Sequence, residues 1–134
     1  MPDQNIKELK VGSPDLAETN VGPMIDEASA ARVEALIQGA VAQGANLWTG
    51  SSRQGALLAP ALLENVAPDS EIMRDEAFGP VAILESVDSR QAALERLNHS
   101  RFGLQIGLFT NDLAFVQRAF ETLDCGGLLV NAAP

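Results

Sequence analysis

The stretch DEAFGPV, residues 75–81, places two acids, an aromatic ring and a Gly-Pro turn directly before an apolar segment, Val81 to Val87. A carboxylate is the group that proteins use to hold paired ribose hydroxyls, and an aromatic face suits a flat heterocycle. A purely structural interpretation also fits: acids at the end of a short helix, a core Phe and a turn into a strand. By itself the stretch leaves both interpretations open.

The segments before it predict a helix and two extended regions. Apolar residues recur at helical spacing over residues 30–41, and they indicate a helix that begins near Asp26 and stops at Gly44. The sequence predicts two extended segments, at residues 46–49 and 57–66, with a turn-rich loop at 50–55 between them. Pro60 in the second segment favours an edge strand or a bulge.

The segments after it predict two more helices and two buried strands. The pattern D-x-x-Q at Asp88 predicts a capping box for a helix through Leu97. Asn111 or Asp112 can cap a further helix with an apolar stripe from Leu113 to Leu123. Residues 104–109 and 128–130 are apolar enough for buried strands. Alternating strands and helices predict an α/β fold, a mostly parallel sheet with helices on both faces.

Composition limits the classes of partner and compartment. The 134 residues fit one domain; we expect an extended N-terminal arm at 1–22, rich in Gly, Pro, Asp and Asn, and the domain itself at 23–134. The net charge of −9 opposes contact with phosphate backbones, so we expect no nucleic-acid partner. No apolar run is long enough to span a bilayer, and we expect no membrane partner. The single cysteine, Cys125, suits a reducing cytosol, and we expect a cytoplasmic protein.

Segments along nearly the whole chain resemble the aldehyde dehydrogenase family, and they occur in the family's order. The E-E-x-F-G-P-V signature corresponds to residues 75–81, with Asp75 in place of the first Glu. The remaining matches are GSP at 12–14, GPMI at 22–25, GANL at 44–47, LAPALL at 58–63, NHSRFGL at 98–104, FTNDL at 109–113 and GGLLVN at 126–131. The sequence of residues 102–110 resembles that of the family branch that includes lactaldehyde and non-phosphorylating glyceraldehyde-3-phosphate dehydrogenases.

The resemblance implies specific roles in cofactor binding. Glu76 matches the glutamate that binds the nicotinamide ribose, and Phe78 matches the phenylalanine near the nicotinamide ring. The implied cofactor is NAD or NADP in the complete enzyme, and we expect this chain alone to bind none. Asp75 keeps the charge of the family's first Glu with a shorter reach, which makes it a supporting residue. Arg32 could reach the cofactor, but a solvated helix arginine is the favoured interpretation.

The resemblance implies no catalytic residue in this chain. In the family the cysteine nucleophile, the glutamate base, the oxyanion asparagine and the dinucleotide-binding domain lie upstream of the matched part, so the fold is expected to be a truncated catalytic domain. Cys125 is interpreted as a small buried hydrophobe rather than the nucleophile, and His99 as a surface residue. Asn131 is either part of the active-site floor or a strand-end cap. No metal site is expected, and Trp48 is expected in the core or at an interface.

Two functional hypotheses remain. In the first, the chain is a fragment of an oxidoreductase that oxidises an aldehyde to a carboxylate with NAD(P)+ through a cysteine thioester, inactive alone. In the second, it is a non-catalytic α/β module or a truncated subunit that acts by association. In a complete enzyme the Glu76–Phe78 face would be covered by the nucleotide domain and the cofactor; because it is exposed here, we expect self-association or a homo-oligomer.

Overall fold

The computed structural model describes residues 3–133, with the side chain of Asp3 excepted. The helices are α1 (Asp3–Lys7), α2 (Glu27–Ala42), α3 (Glu71–Arg74), α4 (Arg90–Asn98) and α5 (Leu113–Thr122). The strands are β1 (Asn46–Thr49), β2 (Arg53–Gln54), β3 (Leu57–Leu58), β4 (Ala61–Glu64), β5 (Val81–Leu84), β6 (Ile106–Leu108) and β7 (Leu128–Val130). The chain divides into two compact units, Met1–Glu85 and Ser86–Pro134, called here the N-terminal unit and the C-terminal unit.

The N-terminal unit is built on a three-stranded sheet of order β1-β4-β5. The β4 strand pairs antiparallel with β1 and parallel with β5. Helix α2 packs its apolar stripe on this sheet and supplies much of one buried cluster. The members of that cluster are Ala30, Val33, Leu36, Ile37, Ala40, Ala45, Leu58, Ala61, Leu63, Val66 and Ile72.

The predicted boundaries of α2 are confirmed by its caps. Asp26 has an extended backbone, and its Oδ1 accepts a hydrogen bond from the Ser29 amide at 2.6 Å. Hydrogen bonding from the Ser29 side chain, and next from its amide, lowers the pKa of Asp26, because both stabilise the charged carboxylate. At the other end Gly44 has a φ of 104°, a left-handed conformation in which a residue without Cβ is unstrained.

The C-terminal unit contains α4, α5 and a parallel two-stranded sheet of β6 and β7. Asn98 links the ends of the two helices: its side chain donates to the Thr122 carbonyl at 2.7 Å and accepts from the Asp124 amide at 3.0 Å. Gly103 and Gly126 lie where the segment after α4 and the segment after α5 approach each other closely. A Cβ on Gly103 would lie 2.8 Å from the Asp124 carbonyl oxygen, so both segments depend on glycine there.

Several predictions about elements in the N-terminal unit need correction. The region 57–66 forms two strands, and β4 is the central strand of its sheet, so the edge-strand prediction is wrong. Pro60 is tolerated because it precedes the first residue of β4. The loop at 50–55 contains β2, which pairs antiparallel with β3. The arm at 1–22 is not extended throughout, since α1 lies within it; Met1 and Pro2 are outside the described residues, and the domain boundary stays a prediction.

In the C-terminal unit the strands and caps also differ from prediction. The N-cap of α4 is Ser89, whose Oγ accepts from the Ala92 amide at 3.1 Å, in place of the predicted Asp88. Strand β7 is only half-buried, not buried. Strand pairing was predicted to be mostly parallel. The β4–β5 and β6–β7 pairs are parallel, whereas the β1–β4 and β2–β3 pairs are antiparallel. No helix among residues 3–133 is long and apolar enough to cross a membrane.

Candidate functional site

The segment Asp75–Pro80, called here the acidic loop, leaves α3 and enters β5. Asp75 ends the helix with an extended backbone, and its amide donates to the Glu71 carbonyl at 2.8 Å. At the other end the Pro80 carbonyl accepts from the Ala61 amide of β4 at 2.9 Å. The loop is therefore tied to regular structure at both ends, with four residues between.

Side chains in the acidic loop alternate between the core and the surface. Ala77 packs against the buried cluster, whereas Glu76 on one side and Phe78 on the other are exposed. The Phe78 ring is 71% exposed, which excludes the interpretation of Phe78 as a core residue. Glu76 makes no hydrogen bond or ion pair within residues 3–133. The loop thus presents a carboxylate and a ring on the surface of the N-terminal unit.

The backbone of the acidic loop is held in an uncommon shape. Phe78 has a φ of 45°, the left-handed region that residues with a Cβ rarely adopt. The following Gly79 lies directly on helix α2: a Cβ there would be 2.9 Å and 3.0 Å from the two methyl groups of Val33. A glycine is thus needed for the loop to approach the helix this closely.

Arg32 of α2 contacts the acidic loop, which sequence reasoning missed. Its Nη2 donates a hydrogen bond of 2.7 Å to the Ala77 carbonyl oxygen. Arg32 was predicted to be a solvated helix arginine, and its exposed side chain on α2 agrees with that prediction; the hydrogen bond to the acidic loop is an additional contact. The two residues are 45 positions apart, and no sequence spacing could have linked them.

The remaining candidates hold structural positions. Asn131, with φ 54°, accepts from the Thr110 amide and donates to its carbonyl, both at 3.0 Å, and so caps the strand end. Cys125 is half-exposed rather than buried, and its Sγ lies 3.5 Å from the Gly127 carbonyl. The exposed His99 ends α4, with Nδ1 2.7 Å from the Glu95 carbonyl. Trp48 is half-exposed at a bulge of β1, and its Nε1 donates to Glu64 at 3.0 Å.

A metal centre finds no support in the described part of the chain, where His, Cys, Asp and Glu form no group of three that could hold an ion. The arrangement at the acidic loop suits a different chemistry. An exposed carboxylate can accept from two hydroxyl groups, and an exposed ring face can cover a planar heterocycle. Both features have the same short loop as their support.

A family model described as "Aldehyde dehydrogenase family" matches residues 3–134. The chain belongs to the aldehyde dehydrogenase family. Its sequence is 40% identical over 130 residues to the 3-sulfolactaldehyde dehydrogenase of Priestia aryabhattai, covering 97% of this chain and 27% of that protein. It is 37% identical over 128 residues to a lactaldehyde dehydrogenase of Methanococcus maripaludis, covering 96% and 27%.

Solved aldehyde dehydrogenase structures share the fold. Aldehyde dehydrogenase 21 from Physcomitrella patens, in complex with the reaction product succinate, superposes with a TM-score of 0.94 at 38% identity, covering 97% of this chain and 27% of that one. The NADP-dependent glyceraldehyde-3-phosphate dehydrogenase of Bacillus halodurans, complexed with NADP, gives 0.91 at 36% identity, covering 98% and 28%. The predicted family and its mixed α/β fold are confirmed. The chain spans just over a quarter of the length of these relatives.

Proposed function

We propose that this chain forms the nicotinamide-facing part of an NAD(P)+-dependent aldehyde dehydrogenase, with Glu76 and Phe78 as its cofactor contacts. The observation that carries the proposal is the exposure of both side chains on one restrained loop. An exposed carboxylate is ordinary in a soluble fold, whereas a large aromatic ring is more often buried, so the exposed Phe78 beside Glu76 is the informative feature. Here both are left on the surface, and Glu76 has no partner within residues 3–133.

The residues present fit the nicotinamide half of the cofactor. The Glu76 carboxylate can accept from both hydroxyls of a ribose, and the Phe78 ring supplies an apolar face for the nicotinamide. The chain has no Gly-rich phosphate-binding fingerprint in its sequence, so the phosphates and the adenosine must be held elsewhere. When bound, the cofactor supplies a hydride acceptor.

In the proposed reaction of the complete enzyme an aldehyde is oxidised to a carboxylate with consumption of one water. NAD(P)+ is reduced to NAD(P)H, and protons are released. A cysteine thioester is the proposed covalent intermediate, formed by a nucleophile outside this chain. Within the reaction, Glu76 would fix the ribose and Phe78 would fix the ring plane while water is excluded from that face. We propose no activity for the 134 residues alone.

Association and compartment are part of the proposal. Large apolar side chains are exposed in the C-terminal unit, among them Leu104, Leu113 and Phe120 at 77–85%. This exposure supports self-association or contact with further parts of an aldehyde dehydrogenase catalytic domain. The single cysteine supports a reducing, cytoplasmic environment. No specific observation favours the purely non-catalytic alternative.

The test is a titration of the isotope-labelled chain with β-nicotinamide mononucleotide, followed by NMR and by Trp48 fluorescence. We expect weak saturable binding, with a Kd of about 1 mM or higher, because two contacts without a phosphate cradle supply little free energy. Chemical shifts should change at residues 75–79. Inorganic phosphate, which has neither a ribose nor a ring, should not cause these changes.

Matched variants locate the site. Glu76→Gln should weaken binding, whereas Glu71→Gln, which changes another exposed carboxylate five residues away, should not. Phe78→Ala should also weaken binding, and Phe120→Ala is its control, since the two residues are 71% and 77% exposed. An unchanged acidic loop throughout the mononucleotide titration, or an equal response to inorganic phosphate, would refute the proposed site. Micromolar binding of NAD+ would show that the chain holds the whole cofactor unaided, contrary to the proposal.

A further inference from the structure

The conformation of Phe78 requires a restraint from outside its own side chain. Its φ of 45° is unfavourable for a residue with a Cβ, by roughly 1–2 kcal/mol relative to right-handed backbone. A buried ring could compensate by packing, but this ring is 71% exposed. Other contacts of the acidic loop must therefore select the conformation.

Two contacts with helix α2 act on adjacent parts of the loop. The methyl groups of Val33 limit how Gly79 can approach the helix. The neighbouring Arg32 binds the Ala77 carbonyl at 2.7 Å, the short distance typical of a charged donor. That carbonyl belongs to the peptide plane between Ala77 and Phe78. Fixing the plane therefore fixes ψ of Ala77 and φ of Phe78 together.

Helix α2 is a rigid support for this contact. Val33 and Ile37 have no exposed surface, and the helix is capped at both ends. The guanidinium is planar, and its rigid arrangement of donors suits a hydrogen bond of fixed direction. Through the Arg32 side chain, the exposed acidic loop is therefore fixed relative to the packed helix α2.

We propose that Arg32 is a positioning residue for the acidic loop. Through the Ala77 carbonyl it holds Phe78 in its left-handed conformation and keeps Glu76 and Phe78 directed to the surface on either side of the partly buried Ala77. This inference rests on the proposed function for its consequence, since the ordered loop is the one that contacts nicotinamide and ribose. Arg32 itself acts through the loop and needs no contact with the cofactor.

The experiment compares three variants of the full chain. Arg32→Met removes the donor and the charge, and Arg32→Lys keeps a charged donor. Arg74→Met is the control: it removes one positive charge beside the same loop, from an exposed residue that has no hydrogen bond or ion pair within residues 3–133. Backbone shifts of α2 report whether each variant is folded.

The first readout needs no ligand: the carbonyl ¹³C shift of Ala77 and the three-bond coupling between the amide proton and Hα of Phe78, which reports φ. In Arg32→Met we expect both to change, because the carbonyl loses its charged donor and the peptide plane is no longer fixed. Arg32→Lys should recover part of the change, and Arg74→Met should match the wild type. Wild-type signals in Arg32→Met would overturn the inference.

The second readout is the affinity for nicotinamide mononucleotide. Arg32→Met should weaken it by roughly three- to tenfold, the usual range for loss of one exposed charged hydrogen bond. Equal weakening in Arg32→Met and Arg74→Met would show a simple charge effect and would overturn the positioning role. If the wild type itself fails to bind, the proposed function fails, whereas the ligand-independent readout still decides whether Arg32 holds the loop.

Discussion

The N-terminal and C-terminal units use the same kind of helix with opposite results. In the N-terminal unit the apolar stripe of α2 is buried, and Val33 and Ile37 have no exposed surface. In the C-terminal unit α5 carries an apolar stripe of similar spacing, yet Leu113 is 81% exposed and Phe120 77% exposed. The difference lies in the partner: α2 has a three-stranded sheet within its own unit, whereas the sheet of the C-terminal unit has two strands.

This difference shows what a helical pattern establishes. An apolar stripe predicts that a helix forms when something covers it, and most helical stability in proteins comes from that packing. Among the described residues of the C-terminal unit, the buried hydrophobic side chains are those of Leu94 and Ala119. A two-stranded sheet is marginal alone in water. We therefore expect the N-terminal unit to carry most of the chain's folding stability.

The largest test of this comparison removes one leucine from each unit. Leu63→Ala deletes a fully buried side chain of β4 and should lower the free energy of unfolding by about 2–5 kcal/mol. Leu113→Ala deletes a side chain that is 81% exposed and should change it by about 0.5 kcal/mol or less. Denaturant unfolding followed by Trp48 fluorescence measures both. Similar losses in the two variants would show that the C-terminal unit has a core of its own.

The second test uses two glycines of the N-terminal unit. Gly79→Ala places a methyl group within 3 Å of Val33 and should cost about 1–3 kcal/mol, through overpacking between the acidic loop and α2. Gly39→Ala is the control, because a Cβ there meets nothing within 4 Å and the residue lies inside α2. It should stabilise the protein by roughly 0.5–1 kcal/mol. A neutral Gly79→Ala would indicate that the loop does not rest on Val33 in solution.

The third test concerns self-association through the C-terminal unit. Phe120→Ser should weaken association by roughly tenfold, equivalent to about 1.4 kcal/mol, if its exposed ring is covered between copies. Sedimentation over a range of concentrations measures the effect, and binding of an apolar dye should fall with it. Ile25→Ser is the control in the N-terminal unit, at a side chain that is 93% exposed. An equal effect of both variants would show that association is not specific to the C-terminal unit.

Local signals in the sequence predicted the elements well where a cap or a turn residue marks them. Helix α2 begins directly after Asp26, near the predicted start, and the chain turns at Gly44, as predicted, because both residues determine backbone geometry by themselves. The cap of α5 at Asp112 is confirmed in the same way. The cap of α4 was misplaced by one residue, since Asp88 and Ser89 have equivalent capping chemistry and only tertiary structure selects between them.

Long-range signals were weaker, and the reason is physical. The direction of strand pairing and the central position of β4 depend on which segments meet, which the spacing of apolar residues does not encode. At the candidate site, the sequence pointed to Glu76 and Phe78 through family resemblance, and their roles stay predictions. The contact of Arg32 with the acidic loop could not have been found, because its bond to the Ala77 carbonyl joins residues 45 positions apart and a backbone acceptor has no residue signature.

The smallest expected effect compares the two aspartate caps at acid pH. Asp26 caps α2 and Asp112 caps α5, and the pKa of each is lowered from 3.8. For Asp112 the main cause is the hydrogen bond from the Phe115 amide, followed by that from Arg90, which also forms an ion pair at 2.6 Å. A lowered folded-state pKa means that the stabilisation is present above pH 3.8 and is lost as the pH falls through the folded value.

Both caps lose their charge in the same pH range, but their helices should respond differently. Helix α5 has only Ala119 fully buried, so we expect its first turn to fray as the pH falls below 3.8, whereas α2 stays folded because its stripe is buried. Cα chemical shifts of each first turn, recorded from pH 6 to pH 2, measure this directly. Asp112→Asn keeps a capping side chain without a titrating group and should make the α5 shifts independent of pH in this range. Simultaneous loss of both first turns would mean that the caps, and not the packing of their stripes, determine the stability of the two helices.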